Sequence, residues 1–296
     1  MIDIGGQAVV EGVMMKSKTH YAVAIRKSDN TIDVKVNKCK SFIHKHKIFG
    51  LPILRGIVVF IESIILGSKT LSYSADFFEE EESKFEQFLT QKFGEKAIVT
   101  TTMILSFLFS LIIFMLLPMW ISQIFKNIVP SMFILNIIEG ALRIFIFLGY
   151  MKLVSNIEDI GRTFEYHGAE HKTINCLEAG KELTIENVKQ CSRLHKSCGT
   201  SFLFIVMVVS ILIFSVFTTN NLFHKTILRI ALMPVISGIS YEFIRWARIK
   251  NNSQIANFLS KPGMWLQKTF TTLEPDDAQI EVAIMATKGV LKYEFD

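Results

Sequence analysis

Two histidines four residues apart, with a glutamate beside the second, are the residues best suited to chemistry in this chain. They lie in Gly161-Arg162-Thr163-Phe164-Glu165-Tyr166-His167-Gly168-Ala169-Glu170-His171-Lys172-Thr173. On a helix, residues at i and i+4 sit about 40° apart on one face and one turn apart along the axis, so both imidazoles can reach one metal ion. Glu170 is then placed to act as general base on a water activated by that ion, which makes it the candidate catalytic residue. The order H-x-x-E-H is that of the inverted zinc proteases. Gly168, between the histidines, costs a helix about 1 kcal/mol relative to alanine.

Two histidines do not complete a site, because a catalytic zinc takes three protein ligands and keeps its fourth position for water. Glu178 returns to the same helical face, but seven residues beyond His171 is about 10 Å along a continuous helix axis, too far for a bond near 2 Å. His195 and Cys198, in His195-Lys196-Ser197-Cys198-Gly199, are better candidates for the remaining metal positions. Their i,i+3 spacing lets both reach one ion across a tight turn. The expected cofactor is a divalent metal, Zn²⁺ by ligand type. A closed His3Cys or His2Cys set would instead be structural. Arg55 and Lys172 are candidates for holding an anionic substrate. Glu242 is a further ligand candidate or buried base, or else the ion-pair partner of Arg245 or Arg248. Glu11 lies among three glycines in Gly5-Gly6-Gln7-Ala8-Val9-Val10-Glu11-Gly12, a backbone suited to close approach or to a strand and turn packed under a membrane domain.

These residues must be positioned by a chain of 296 residues that is half apolar and has a mean hydropathy of +0.37. Such a composition excludes disorder and a disulfide-framed mini-domain. A bilayer core of about 30 Å takes roughly 20 helical residues. Spans are expected near 97–120, 132–151, 201–219 and 226–246, the first ending at Pro118 and Trp120 at the interface. The second carries Glu139 and Arg143, and the fourth carries Arg229 and Glu242, charges that at membrane depth face partner helices or water. The expected fold is an all-α polytopic membrane domain, 97–246, holding the His/Glu/Cys loop 152–200. Around it lie a Gly-rich segment with a β-hairpin (1–48), interfacial or amphipathic helices (49–96) and a C-terminal helical segment (247–296). Residues 50–71 read as interfacial or re-entrant, and Phe77–Phe93 as an amphipathic helix with a solvated acidic face. The hairpin pairs Tyr21–Arg26 with Thr31–Lys38 across Ser28-Asp29-Asn30. Pro275-Asp276-Asp277 caps a helix over 278–290 that packs on the other cytoplasmic segments.

Lysines and arginines number 14 in residues 1–96, seven in 152–200 and seven in 245–296, against one each in 121–131 and 220–225. This asymmetry predicts a multi-pass protein of the bacterial inner membrane with both termini and the 152–200 loop cytoplasmic. No cleavable signal is expected at the N-terminus. All four cysteines then fall in a reducing compartment, as thiols or metal ligands, with Cys39, Cys176 and Cys191 ordinary thiols. The basic run containing His44 and His46 reads as a contact with lipid heads. The basic residues are spread out and carry no nucleic-acid motif, so the expected partners are the bilayer and a membrane protein or further copies of the chain.

Gly5–Met15, Pro52-Ile53-Leu54-Arg55-Gly56, Tyr166–Asn175, His195–Phe202 and Tyr241-Glu242 together resemble the YqhQ family of bacterial membrane proteins over nearly the whole chain. That family is a domain of unknown function, commonly labelled a metal-dependent enzyme on the strength of its motifs. The resemblance therefore implies a bacterial membrane protein of that family, more than it implies an activity. Where the family often has Pro-Arg between the histidine and the cysteine, this chain has Lys196-Ser197, a looser turn. The leading functional expectation is a membrane metal-dependent hydrolase acting on a lipid-linked or membrane-protein substrate. Its rivals are a non-enzymatic membrane scaffold, with a structural metal or none, and an oligomeric transporter using Glu139, Arg143, Arg229 and Glu242.

Overall fold

Near-continuous apolar runs at Gly12–Lys16 and His20–Arg26 make strands buried on both faces rather than one. A computed structural model describes residues 4–39, 41–44, 47–78, 90–217, 219, 221–250 and 253–293. It contains strands β1 (Gly5–Val9), β2 (Gly12–Lys16), β3 (His20–Arg26) and β4 (Ile32–Lys38), then helix α1 (Leu54–Ala75). Helix α2 (Glu95–Leu111) passes through a π-helical turn (Ile112–Leu116) into α3 (Leu117–Ile124), followed by α4 (Met132–Val154), α5 (Glu158–Glu178) and the short α6 (Ile185–Lys189). Then come α7 (Gly199–Val216), α8 (Leu222–Ile249), α9 (Gln254–Leu266) with a terminal π turn (Gln267–Thr271), and α10 (Asp277–Leu291). Four helical segments are long and apolar enough to cross a membrane: Ala97–Ile124, Met132–Val154, Gly199–Val216 and Leu222–Ile249. The chain divides into two units, Met1–Phe78 with Lys152–Val206 and Pro234–Asp296, and Glu79–Met151 with Met207–Met233.

In the first unit the strands form an antiparallel meander in the order β1-β2-β3-β4. Gly6 pairs with Met15, and Val23 with Lys35. Strand side chains alternate between faces. Val13, Met15, Ala22 and Ala24 share a core with Tyr166, Ala169 and Ile174 of α5 and with Ile280, Ala283 and Val290 of α10. Met14, Tyr21, Val23 and Ile25 face the other way, against Leu66 and Tyr73 of α1. Residues from both ends of the chain thus share one core. The hairpin expected at 21–38 is present. The Gly-rich segment before it supplies the other two strands, and Glu11, at φ 48°, occupies their turn.

The C-terminal helix begins with a capping box: Asp276 accepts from the Gln279 backbone N–H, while the Gln279 side chain accepts from the Asp276 N–H. This satisfies two donors that a helix start leaves free. Segment 50–71 is largely one continuous helix, α1, and the Ser74 hydroxyl on it accepts from the Val10 N–H at 3.0 Å. Most of the acidic amphipathic helix expected over 77–93 lies outside the described residues, as do His46 and the side chain of His44.

In the second unit the first span, expected to end near Trp120, runs through Pro118 and continues one turn further to Ile124. Proline has no N–H to give the carbonyl four residues earlier. The π turn ahead of it relieves the crowding, with Leu117 N–H bonded to the Ile112 carbonyl. The freed Phe114 carbonyl accepts from Arg143 Nε at 3.0 Å. Arg143 also reaches Glu139 and the Ser210 hydroxyl. Glu139 is 1% exposed and pairs with Lys225 and Arg229 as well. One buried carboxylate therefore faces three cations, Arg143 on its own helix and Lys225 and Arg229 on α8.

Candidate metal centre

Helix α5 carries both histidines of the H-x-x-E-H sequence on one face, their ring centroids 4.3 Å apart. The backbone fixes each ring. His167 Nδ1 lies 2.7 Å from the Thr271 carbonyl, and His171 Nδ1 lies 2.7 Å from the Arg193 carbonyl. A carbonyl can only accept, so each Nδ1 carries a proton, and in the neutral form of such a ring it is Nε2 that keeps a lone pair for a ligand. Burial holds the His171 imidazole below its ordinary value, with the neighbouring His167 adding to that, which favours the neutral, ligating form.

Cys198 completes the group. Its Sγ lies 3.3 Å from His167 Nε2, and the ligand atoms of His167, His171 and Cys198 all fall within 4.8 Å of one another. Around a tetrahedral zinc at usual bond lengths such atoms stand about 3.5 Å apart, so the cluster could hold a metal after a small contraction. The carbonyl bonds to the two Nδ1 atoms are the outer contacts that metal-ligating histidines normally have. The sulfur also caps α7, accepting from the Thr200 N–H at 3.4 Å.

The sequence leaves His195 and Cys198 both open, and the structure separates them. His195 Nε2 lies 3.3 Å from a Glu178 carboxylate oxygen, and the ring stands 5.8 Å from that of His171, outside the three-ligand group. Glu178, too far along the helix to be a ligand, is the carboxylate that orients His195, and its other oxygen lies 3.6 Å from Arg248. The His195 imidazole and desolvation act oppositely on Glu178. The hydrogen bond is the larger effect, and it holds the carboxyl below its usual value.

What separates them is Gln267, a fully buried residue in the π turn after α9. Its side chain accepts from the His195 N–H at 3.0 Å and donates to the His195 carbonyl and to the Ser201 hydroxyl, each at 2.9 Å. The turn from His195 to Cys198 is held in this way from a segment some seventy residues later. The same π turn presents the Thr271 carbonyl to His167. The signal in the sequence is a glutamine closing an otherwise apolar helix, Gly263-Met264-Trp265-Leu266-Gln267, which carries no ligand chemistry of its own.

Glu170 is 4% exposed and lines, with His167, His171, Cys198, His195 and Arg248, a cavity of about 130 Å³. No described residue hydrogen-bonds its carboxylate. Burial raises its pKa, opposed by His167 and His195. The backbone that approaches closely in the Gly-rich segment is Gly6: a Cβ there would come within 2.8 Å of Glu170 Cγ.

The other singled-out residues lie elsewhere. Glu11 is held by Arg162 through both oxygens and by the Tyr166 hydroxyl, tying the β1–β2 turn to α5. Lys172 is buried, donates to the Lys189 and Cys191 carbonyls and pairs with Glu274. Arg55 pairs with Glu242, which leaves that glutamate outside the ligand group and paired with neither Arg245 nor Arg248 as its main partner. None of the four lines the cavity, and their charges are already matched.

Gly168, which weakens the helix on paper, is where the segment after α9 crosses α5: Leu273 N–H donates to the Phe164 carbonyl at 3.0 Å. A Cβ on Gly168 would sit inside the Leu273 carbonyl oxygen. Gly168→Ala is therefore expected to push this segment off the helix, at about 2–3 kcal/mol. The Thr271 carbonyl would leave His167 with it, so denaturant unfolding and bound metal should fall together.

The family described as "Protein of unknown function (DUF1385)" matches residues 51–293. The chain is 37% identical over 295 residues to "Uncharacterized protein YqhQ" of Bacillus subtilis (strain 168), a match covering 98% of this chain and 92% of that protein. No solved structure matches it.

Proposed function

The chain belongs to the DUF1385 family, and from its His–Cys cluster we propose that it is a membrane metal-dependent hydrolase working at the cytoplasmic surface of the inner membrane. His167, His171 and Cys198 would hold the metal, zinc by ligand type: two imidazoles and a thiolate suit that ion, and three protein ligands are the number found in catalytic sites. When bound, the ion supplies Lewis acidity and brings the pKa of water toward 7. The chain's own groups do the rest. Glu170 takes a proton from the attacking water onto its carboxylate and passes it to the leaving group. His195, steadied by Glu178, and Arg248 face the same cavity and position polar or anionic parts of a lipid-linked or membrane-protein substrate. The lysine and arginine asymmetry supports the cytoplasmic placing of the loop and both termini.

The observation that carries the reading is Glu170: a buried glutamate whose carboxylate no described residue hydrogen-bonds, lining one cavity with His167, His171 and Cys198. A carboxylate with only a packing role is normally paired when buried. Elemental analysis of the full-length protein in detergent tests it. About one zinc per chain is expected, as for a single three-ligand site, with loss in His171→Ala and in Cys198→Ala and retention in His195→Ala. Metal-free protein, or metal content indifferent to these changes, would overturn the reading.

A further inference from the structure

Strand β1 is an edge strand. It pairs only with β2, and among the described residues no group outside β2 hydrogen-bonds the backbone of Gly5 to Ala8. One row of amide donors and acceptors is therefore open. Natural edges are usually protected by charge, proline or a bulge. The sequence here, Gly-Gly-Gln-Ala-Val, has none of these. Gly5 and Gly6 are both exposed and both line the cavity that holds Glu170 and the His–Cys cluster. With no side chain on Gly6, Glu170 packs directly against the strand backbone.

We infer that this edge is the substrate-binding element, taking an extended polypeptide segment as a fifth strand beside β1, with a peptide carbonyl brought over Glu170 and the metal ligands. The inference rests on the hydrolase reading above and narrows its substrate to peptide bonds. A repeating ladder of donors and acceptors matches a peptide backbone and no lipid headgroup, and strand addition draws its affinity from main-chain hydrogen bonds. In the reaction, the oxygen of water joins the carbonyl carbon and the C–N bond breaks. The proton that Glu170 takes from the water goes to the leaving amine.

The test is competition binding to the zinc-loaded full-length protein in lipid nanodiscs. The probes are acetohydroxamate, which reports the metal alone, an acetyl-tripeptidyl hydroxamate, and the same tripeptide with its backbone amides N-methylated. The tripeptidyl probe is expected to bind at least tenfold tighter than acetohydroxamate, and N-methylation to abolish the gain. Equal affinities for all three overturn strand docking while leaving the metal reading intact, and displacement by dodecyl phosphate with no effect of N-methylation overturns it in favour of a lipid headgroup. Failure of acetohydroxamate itself to bind overturns both.

Discussion

Glu170→Gln is expected to leave the metal and the fold in place and to lower hydrolysis by roughly 10²–10⁴-fold, the usual contribution of a general base. Glutamine has nearly the same shape and no charge. The carboxylate it replaces is buried and makes no hydrogen bond with a described residue, so its removal relieves a desolvation cost instead of breaking a contact. Stability should hold or rise, the pattern of a residue kept for activity. His171→Ala should behave oppositely, losing the metal, the Arg193 carbonyl contact and stability together. The pair of variants, read by elemental analysis, unfolding and turnover of an unfolded polypeptide, separates the two roles a metal can have. A Glu170→Gln protein within threefold of wild type in function, beside an unstable His171→Ala, would make the metal a structural staple and the protein a membrane scaffold.

The i,i+4 histidine pair was legible because helical periodicity is local: His167, Glu170 and His171 lie within five residues, and the ring spacing follows from the helix alone. The choice between His195 and Cys198 was not, since it depends on Gln267, which clamps the intervening turn from a distant segment. Distance along the helix argues against Glu178 as a ligand, but its bond to His195 arises only once the loop folds back. Gly168 read as a weakness because propensity counts the helix and not the strand of chain lying across it. The four spans were visible as charge-free or nearly charge-free runs, while the passage of the first through Pro118 needs the π turn and an arginine donated from α4. The hairpin announced itself through its turn residues. The first two strands were harder, because glycines have low strand propensity, and they are strands here for the sake of what approaches them.

Glu139→Leu is expected to be among the most destabilising substitutions in the chain, at about 3–5 kcal/mol. The carboxylate is the only anion facing Arg143, Lys225 and Arg229 among the described residues. Removing it strands three cations in a helix bundle where each charge at membrane depth already costs about 2.5–3.5 kcal/mol. Arg229→Met should cost less, because Glu139 keeps two partners. Glu139→Leu combined with Arg229→Met should recover part of the loss, because one of the stranded cations is gone. Denaturant unfolding in mixed micelles of the two single variants and the double reads the coupling directly. Additive losses would mean that the ion pair contributes nothing, and equal costs for the two singles would remove the asymmetry that three cations on one carboxylate require. Arg143 shows why the cluster can hold a bundle together. The same guanidinium that pairs with Glu139 satisfies the carbonyl freed by Pro118, so loss of the carboxylate loosens the arginine that mends the first span.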